Sequence, residues 1–179
     1  MYALVAYFDE ETDAEVQKLW NSLKEEGISS YAFEIKNLRP HITLSSYKTL
    51  AVDTYIEWLS RHYSKTQVVP INFESLGTFI DSKAIFLVPT LNDGLSRLHQ
   101  SHHAQHGNFD DYSDSLYIPN KWIPHCTLAN HLSDTQIVAA FQYLTKRIQK
   151  IEGKIESLAL IQVPERNHVK TLYTIKLRH

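Results

Sequence analysis

The sequence has little of several residues that mark particular protein classes. Its 179 residues include one cysteine, Cys126, which cannot form a disulfide within the chain. Lysine and arginine total 18 against 20 aspartates and glutamates, so the formal net charge is only -2. This balance argues against a broad basic surface for long nucleic acid, but it allows a small anionic ligand or one RNA end.

Long apolar runs are also missing. The apolar stretch at residues 2–8 is too short to span a membrane, and no basic segment precedes it. With 43% apolar and 21% charged residues, the composition is that of an ordinary globular domain. We therefore expect a soluble cytoplasmic protein, monomeric and without a membrane partner.

Histidine, in contrast, is abundant, with ten in the chain. The run Pro-His-Ile-Thr-Leu at residues 40–44 is followed 84 residues later by Pro-His-Cys-Thr-Leu at residues 124–128. After each run the pattern predicts a helix and then two strands. No linker rich in proline, glycine or serine separates the two halves, so we expect one bilobal domain over residues 1–179.

Hydrophobic periodicity predicts the same order of helices and strands in the two halves of the chain. We therefore expect two duplicated lobes packed as one unit and related by an approximate two-fold axis. Thr12 with Glu15, and Ser133 with Gln136, have the spacing of helix capping boxes, and Gly27 stands where the first helix should end. Strands are predicted at residues 1–8, 31–36, 39–44, 68–80, 84–88, 124–128, 154–163 and 168–177.

The two repeated motifs carry the chemistry. Side chains alternate along a strand, so His41 and Thr43 share one face, and His125 and Thr127 share the corresponding face of the second motif. If these faces meet across the interface between the two lobes, two imidazoles can divide the roles of general base and general acid. The threonine hydroxyls can donate to anionic oxygens between them. A phosphodiester or cyclic phosphate is the reaction centre that suits this set.

The motif residues resemble the 2H phosphoesterase superfamily, which includes the so-called 2′-5′ RNA ligases and 2′,3′-cyclic phosphodiesterases. The resemblance rests on residues 41–44 and 125–128, on the lead-in Trp-x-Pro-His at 122–125, and on Leu-Gly-Thr-Phe at 76–79. It implies a bilobal α+β fold, with two antiparallel sheets flanked by helices around a central groove, and metal-independent cleavage of a cyclic or 2′-5′ phosphodiester in a nucleotide or RNA end, without a cofactor. It also implies catalytic roles for His41 and His125, and phosphate contacts from Thr43 and Thr127.

Other side chains flank the motifs. Phe79, Tyr117 and Trp122 could line the groove and stack on a base, or they could simply pack in the core. Four cations in or beside the flanking loops could neutralise phosphate, although surface solvation is the commoner fate of such residues; they are Arg39, Lys83, Lys121 and Arg166.

A second group of histidines crowds the helix predicted at residues 91–106, where Leu91, Leu95 and Leu98 should face inward. His99, His103 and His106 have a spacing suited to a metal ion, but no carboxylate joins them in that helix. We therefore interpret them as solvated imidazoles, with His102 continuing the apolar stripe. A non-catalytic module that binds RNA termini or a signalling nucleotide, and a metal hydrolase centred on this helix, are the alternative functions.

Overall fold

A computed structural model of the chain describes residues 1–104, 115–165 and 167–179. Part of the predicted loop at 107–123, together with His106 and Arg166, falls outside the described residues. Helices and strands alternate along the described chain in the following order: β1 (Tyr2–Phe8), α1 (Glu10–Glu25), α2 (Tyr31–Glu34), β2 (His41–Tyr47), α3 (Val52–His62), β3 (Val69–Thr78), β4 (Ile85–Pro89), α4 (Asp93–Ala104), β5 (Cys126–Ala129), α5 (Asp134–Leu144), β6 (Ile151–Glu165) and β7 (His168–Lys176). The predicted α+β class, an antiparallel sheet with flanking helices, is confirmed.

The long strand β6 organises the sheet. Its first residues pair with β3, and its later residues pair with β1 on one side and β7 on the other. The strand order is β2-β1-β6-β3-β4-β5, with β7 beside β6, and every pair is antiparallel. The two predicted sheets are therefore joined through β6 into one continuous seven-stranded sheet. In this order β2 and β5, which carry the two motifs, are the end strands.

Strand β1 is buried on both faces, which explains its continuous apolar run. Leu4, Ala6 and Phe8 lie in the main hydrophobic cluster, whereas Ala3, Val5 and Tyr7 lie in a smaller cluster on the opposite face. The main cluster also contains the backs of both motifs, namely Ile42, Leu44, Cys126 and Leu128. One core thus anchors the two motif strands.

Two predicted elements differ from the structure at their ends. Helix α1 begins at Glu10, because the Asp9 side chain, not that of Thr12, caps it by accepting from the Thr12 backbone N–H at 3.0 Å. Helix α4 begins at Asp93, where the Asn92 side chain accepts from the Leu95 N–H at 2.9 Å. Leu91 therefore lies outside the helix and is exposed, contrary to the predicted inward orientation.

The strand predicted at residues 31–36 is wrong. Residues 31–34 form the short helix α2, which packs against β5. The backbone carbonyl of Ser30 accepts from the N–H groups of Phe33 and Glu34, which closes a helical turn. Local alternation of apolar residues predicted a strand, but among the described residues no strand pairs with this segment, and Lys36 makes an isolated bridge to His168.

Other local predictions are confirmed. Ser133 and Gln136 form the reciprocal capping box of α5. Gly27 follows α1 with a φ of 65°, a left-handed conformation that glycine adopts without strain. No helix of the described chain is long and apolar enough to cross a membrane.

The start of α1 lies in close contact with β6 at Gly153. The Asp9 carboxylate accepts from the Lys154 N–H at 2.7 Å and from the Thr12 hydroxyl at 3.0 Å. A Cβ on Gly153 would lie 1.7 Å from Thr12 Oγ1 and 2.8 Å from Asp9 Oδ2. Only glycine fits here without displacing the cap.

We therefore expect Gly153→Ala to destabilise the protein by about 1 to 3 kcal/mol, because overpacking and a weakened cap act together. Urea unfolding checks this, with Gly27→Asn as the matched control. No atom lies within 4 Å of a Cβ at Gly27, and asparagine tolerates its positive φ, so the control should unfold near the wild-type midpoint. Equal midpoints for all three proteins would contradict the close contact between α1 and β6.

Candidate functional site

The two motifs face each other on the end strands of the sheet. His41 is the first residue of β2, and His125 directly precedes β5. Cα atoms of the two strands come within 8 Å of each other, and His125 is close enough to His41 to lower its pKa. The predicted alternation is present: His41, Thr43, His125 and Thr127 are half-buried, whereas the intervening residues are buried.

Both candidate imidazoles are held by the same local contact. His41 Nδ1 lies 2.7 Å from the Arg39 carbonyl oxygen, and His125 Nδ1 lies 2.7 Å from the Ile123 carbonyl oxygen. A carbonyl only accepts, so Nδ1 of each ring carries a hydrogen and Nε2 is left for a proton transfer. A proline stands between carbonyl and histidine in both motifs and favours the extended backbone that precedes each contact.

Burial lowers the pKa values of both motif histidines. Desolvation lowers the pKa of His41 below 6.5, and the neighbouring His125 lowers it further, against the opposing effect of the Arg39 carbonyl. Desolvation also lowers the pKa of His125 below 6.5, against the opposing effect of the Ile123 carbonyl. Both rings are therefore mainly neutral at neutral pH.

Two aromatic rings pack against the histidine of the second motif. The edge of Phe79 meets the His125 ring at 4.8 Å between centroids, and Phe86 lies 5.1 Å from the same ring. Phe86 occupies the space over Gly77, where a Cβ would lie 2.4 Å from its ring. Of the three predicted aromatic residues, Phe79 is the one that borders a motif histidine directly.

Tyr117 and Trp122 lie instead against the first motif. Trp122 Nε1 donates to the Thr43 carbonyl oxygen at 2.9 Å, and its ring stacks on His99 at 3.9 Å between centroids. Burial raises the pKa of Tyr117, against the opposing effect of the neighbouring Thr43 side chain, so this hydroxyl stays protonated. Both residues therefore lie beside Thr43.

Trp20 is a site-supporting residue that the sequence did not reveal. It lies on the buried face of α1, and its Nε1 donates to the Thr127 carbonyl oxygen at 3.1 Å. The backbone carbonyl of each motif threonine thus accepts a hydrogen bond from an indole N–H. Among the described residues, β2 and β5 pair with a strand on one side only, and the carbonyls of Thr43 and Thr127 accept from side chains instead. The one indication in the sequence was that Trp20 should be buried in α1, where its indole N–H requires a hydrogen-bond acceptor.

Two of the four flanking cations are held by carboxylates. Arg39 lies over the Tyr7 ring at 4.4 Å and pairs with the buried Asp13 at 3.2 Å. Lys83 pairs with Asp134 at 2.5 Å, at the start of α5. Lys121 is exposed, and Arg166 lies outside the described residues.

The described histidines of α4 are held by hydrogen bonds. His99 and His102 are buried, so the expectation of solvated imidazoles is wrong for His99, while the inward position of His102 is confirmed. His102 Nε2 lies 2.9 Å from the Tyr47 hydroxyl, and its Nδ1 lies 3.0 Å from the Tyr63 hydroxyl. His99 and His103 donate from Nε2 to backbone carbonyls.

These contacts bear on the predicted metal alternative. Among the described residues, no group of three or more His, Cys, Asp or Glu side chains is placed to hold a metal ion. His106, the third member of the proposed set, falls outside those residues. Cys126 is buried as predicted, and burial raises the pKa of its thiol to about 12.

The sequence model of the 2′-5′ RNA ligase superfamily matches residues 8–167, a span that contains both motifs and the strands β2 to β6. The chain belongs to this superfamily. The resemblance to 2H phosphoesterases is thereby confirmed, and with it a phosphoesterase type of function. No curated protein matches the chain by sequence.

Solved structures with the superfamily fold cover almost the whole chain. Escherichia coli LigT in its apo form aligns with a TM-score of 0.65 at 11% identity, over 99% of this chain and 97% of LigT. TT0787 of Thermus thermophilus aligns with a TM-score of 0.63 at 15% identity, over 99% and 97%. LigT complexed with 3′-AMP aligns with a TM-score of 0.61 at 12% identity, over 99% and 98%. These TM-scores over nearly the whole chain establish a shared fold.

Proposed function

We propose that this superfamily member hydrolyses a 2′,3′-cyclic phosphate, or a related cyclic or 2′-5′ phosphodiester, of RNA ends or nucleotides. One observation carries the proposal. Two imidazoles on facing end strands have the same orientation, each with Nδ1 bonded to a carbonyl and Nε2 left for chemistry. Each has a threonine two residues later on the same face.

In this reaction one imidazole takes a proton from water as the water oxygen attacks phosphorus. The other imidazole gives a proton to the ribose oxygen as its P–O bond breaks, leaving a phosphomonoester. His41 and His125 fill these two roles, and their equivalent surroundings leave either order open. The hydroxyls of Thr43 and Thr127 donate to the non-bridging phosphate oxygens, which gain charge as the bond order changes.

The aromatic residues suit a nucleoside next to the phosphate. Phe79 borders His125 and is the proposed stacking surface for the base, whereas Tyr117 and Trp122 act on the phosphate side through Thr43. The complex of LigT with 3′-AMP supports a nucleotide ligand for this fold. We propose a cytoplasmic, monomeric enzyme that needs no cofactor.

The test is turnover of 2′,3′-cyclic mononucleotides, 2′-5′ dinucleotides and cyclic dinucleotides by the purified protein, followed by chromatography. We expect a 2′,3′-cyclic mononucleotide to be opened to a phosphomonoester, at the same rate with and without EDTA, because side chains supply the acid, the base and the oxyanion donors. Saturable binding without turnover would contradict the proposed enzyme activity and would indicate a binding module. A rate lost in EDTA and restored by Zn²⁺ would indicate a metal hydrolase.

The threonines give a graded result within the same assay. Thr43→Ala and Thr127→Ala should each lower kcat/KM by about 10- to 100-fold, the value of one hydrogen bond to a charged oxygen. Thr145→Ala serves as the matched control, since the Thr145 hydroxyl donates to the Phe141 carbonyl oxygen at the end of α5. Full activity of both threonine variants would remove these hydroxyls from the phosphate site.

A further inference from the structure

Thr43 is supported by a chain of contacts that begins at a histidine in α4. We propose that His99 is a positioning residue, which aligns the Thr43 hydroxyl with the phosphate by holding Tyr117 and Trp122 in place. The proposal rests on the proposed function, because Thr43 needs alignment only if it binds a phosphate. It gives a role to the part of the α4 histidine group that the two motifs leave unexplained.

The first link is a hydrogen bond between α4 and residue 117. His99 is 3% exposed, and its Nε2 lies 2.7 Å from the Tyr117 carbonyl oxygen. A carbonyl accepts, so Nε2 carries the hydrogen. Burial lowers the pKa of His99 to about 4, which keeps the ring neutral in the working range of pH. This bond fixes the backbone from which the Tyr117 side chain extends to Thr43.

The second link is a ring stack. The planes of His99 and Trp122 are parallel within 1°, with centroids 3.9 Å apart. The stack orients the indole so that Nε1 reaches the Thr43 carbonyl oxygen at 2.9 Å. One imidazole therefore controls two residues by independent contacts, one through its edge and one through its face.

Tyr117 and Trp122 both lie against Thr43, which is on an end strand of the sheet. Because no strand in the described part of the chain pairs with the outer edge of β2, Thr43 depends on side chains for support on that edge. Trp122 bonds to its backbone carbonyl, and the Tyr117 side chain lies beside its hydroxyl. A protonated Tyr117 hydroxyl can donate to Thr43 Oγ1 once the Thr43 hydrogen points to a phosphate oxygen. Without these contacts Thr43 could rotate, and its hydroxyl would no longer point at the phosphate oxygen.

The test is a double-mutant cycle between His99 and Thr43, with kcat and KM measured for the 2′,3′-cyclic mononucleotide that the wild type turns over. His99→Leu should lower kcat/KM about 10-fold with Thr43 present, and less than about 2-fold in the Thr43→Ala background. His99→Gln, whose amide can still donate to the Tyr117 carbonyl, should recover part of the loss. Trp122→Phe, which deletes the indole N–H, should show the same dependence on Thr43.

His62→Leu is the matched control. It also removes an imidazole stacked on an indole, with centroids of His62 and Trp58 4.7 Å apart, but it lies on α3 away from both motifs. It should retain wild-type kcat/KM. Circular dichroism establishes which variants are folded, and Trp122→Phe and His99→Gln carry the test if His99→Leu is not.

Equal losses in the Thr43 and Thr43→Ala backgrounds would assign His99 a general structural role and overturn the proposal. No loss in either background would also overturn it. An inactive wild type would instead refute the proposed function, and this inference with it.

Discussion

His41→Ala and His125→Ala should each lower kcat/KM by about 10² to 10⁴-fold, the usual contribution of one positioned proton transfer. The expectation follows from geometry, because each Nδ1 is bonded to a carbonyl and each Nε2 is left for the reaction. Both variants should remain folded, since both rings are half-buried whereas their neighbours Ile42 and Cys126 anchor the strands in the core. Steady-state kinetics on a cyclic mononucleotide measures the effect.

His131→Asn is the matched control for these variants. His131 is an exposed imidazole shortly after the second motif, and asparagine tolerates its φ of 56°. Its kcat/KM should equal that of the wild type. If one motif histidine is dispensable while the other is required, the shared acid–base assignment fails, and a single-histidine mechanism takes its place.

The second large effect is expected in the pH dependence. The profile of kcat/KM should be bell-shaped with its optimum below pH 6.5, because one ring must be neutral and the other protonated in the free enzyme. Burial lowers the pKa of both rings below 6.5, so both are neutral above that pH and activity falls on the alkaline side. On the acid side activity falls as the second ring is protonated. Bound phosphate favours the charged ring, so the optimum of kcat should lie at higher pH.

Thr43→Ala separates this explanation from a general loss of structure. It removes a donor without a titrating group, so its profile should be lower but keep the wild-type shape. An optimum of kcat/KM above pH 7.5 would contradict the effect of burial on the two rings. A rate that rises without limit into alkaline pH would exclude an imidazolium as the acid.

The sequence was sufficient for the parts of the site that depend on strand periodicity. Alternation alone placed His41 and Thr43 on one face, with Ile42 and Leu44 in the core, and the structure shows that arrangement. It also placed Cys126 in the core. The repeat of one motif after 84 residues predicted that the two histidines would meet, and β2 and β5 do approach each other.

The missing parts depend on contacts between distant segments. Trp20 and Thr127 are 107 residues apart, and no local pattern connects a helix residue with the carbonyl of an end strand. The same holds for His99, whose partners Tyr117 and Trp122 follow α4 in the chain. Residues 31–34 show the opposite failure, because local alternation predicted a strand where packing against β5 favours a helical turn. The approximate two-fold relation between the lobes stays a prediction.

The most direct test of the central claim, that the two histidines form one acid–base pair, is the rate of the His41→Ala/His125→Ala double variant. Groups that act together in one step are not additive, so the double variant should be hardly slower than the slower single variant. Single-turnover rates on a 2′,3′-cyclic mononucleotide, with all three variants confirmed as folded, provide the comparison. A double variant whose loss equals the product of the two single losses would show that the histidines act independently and would contradict the claim.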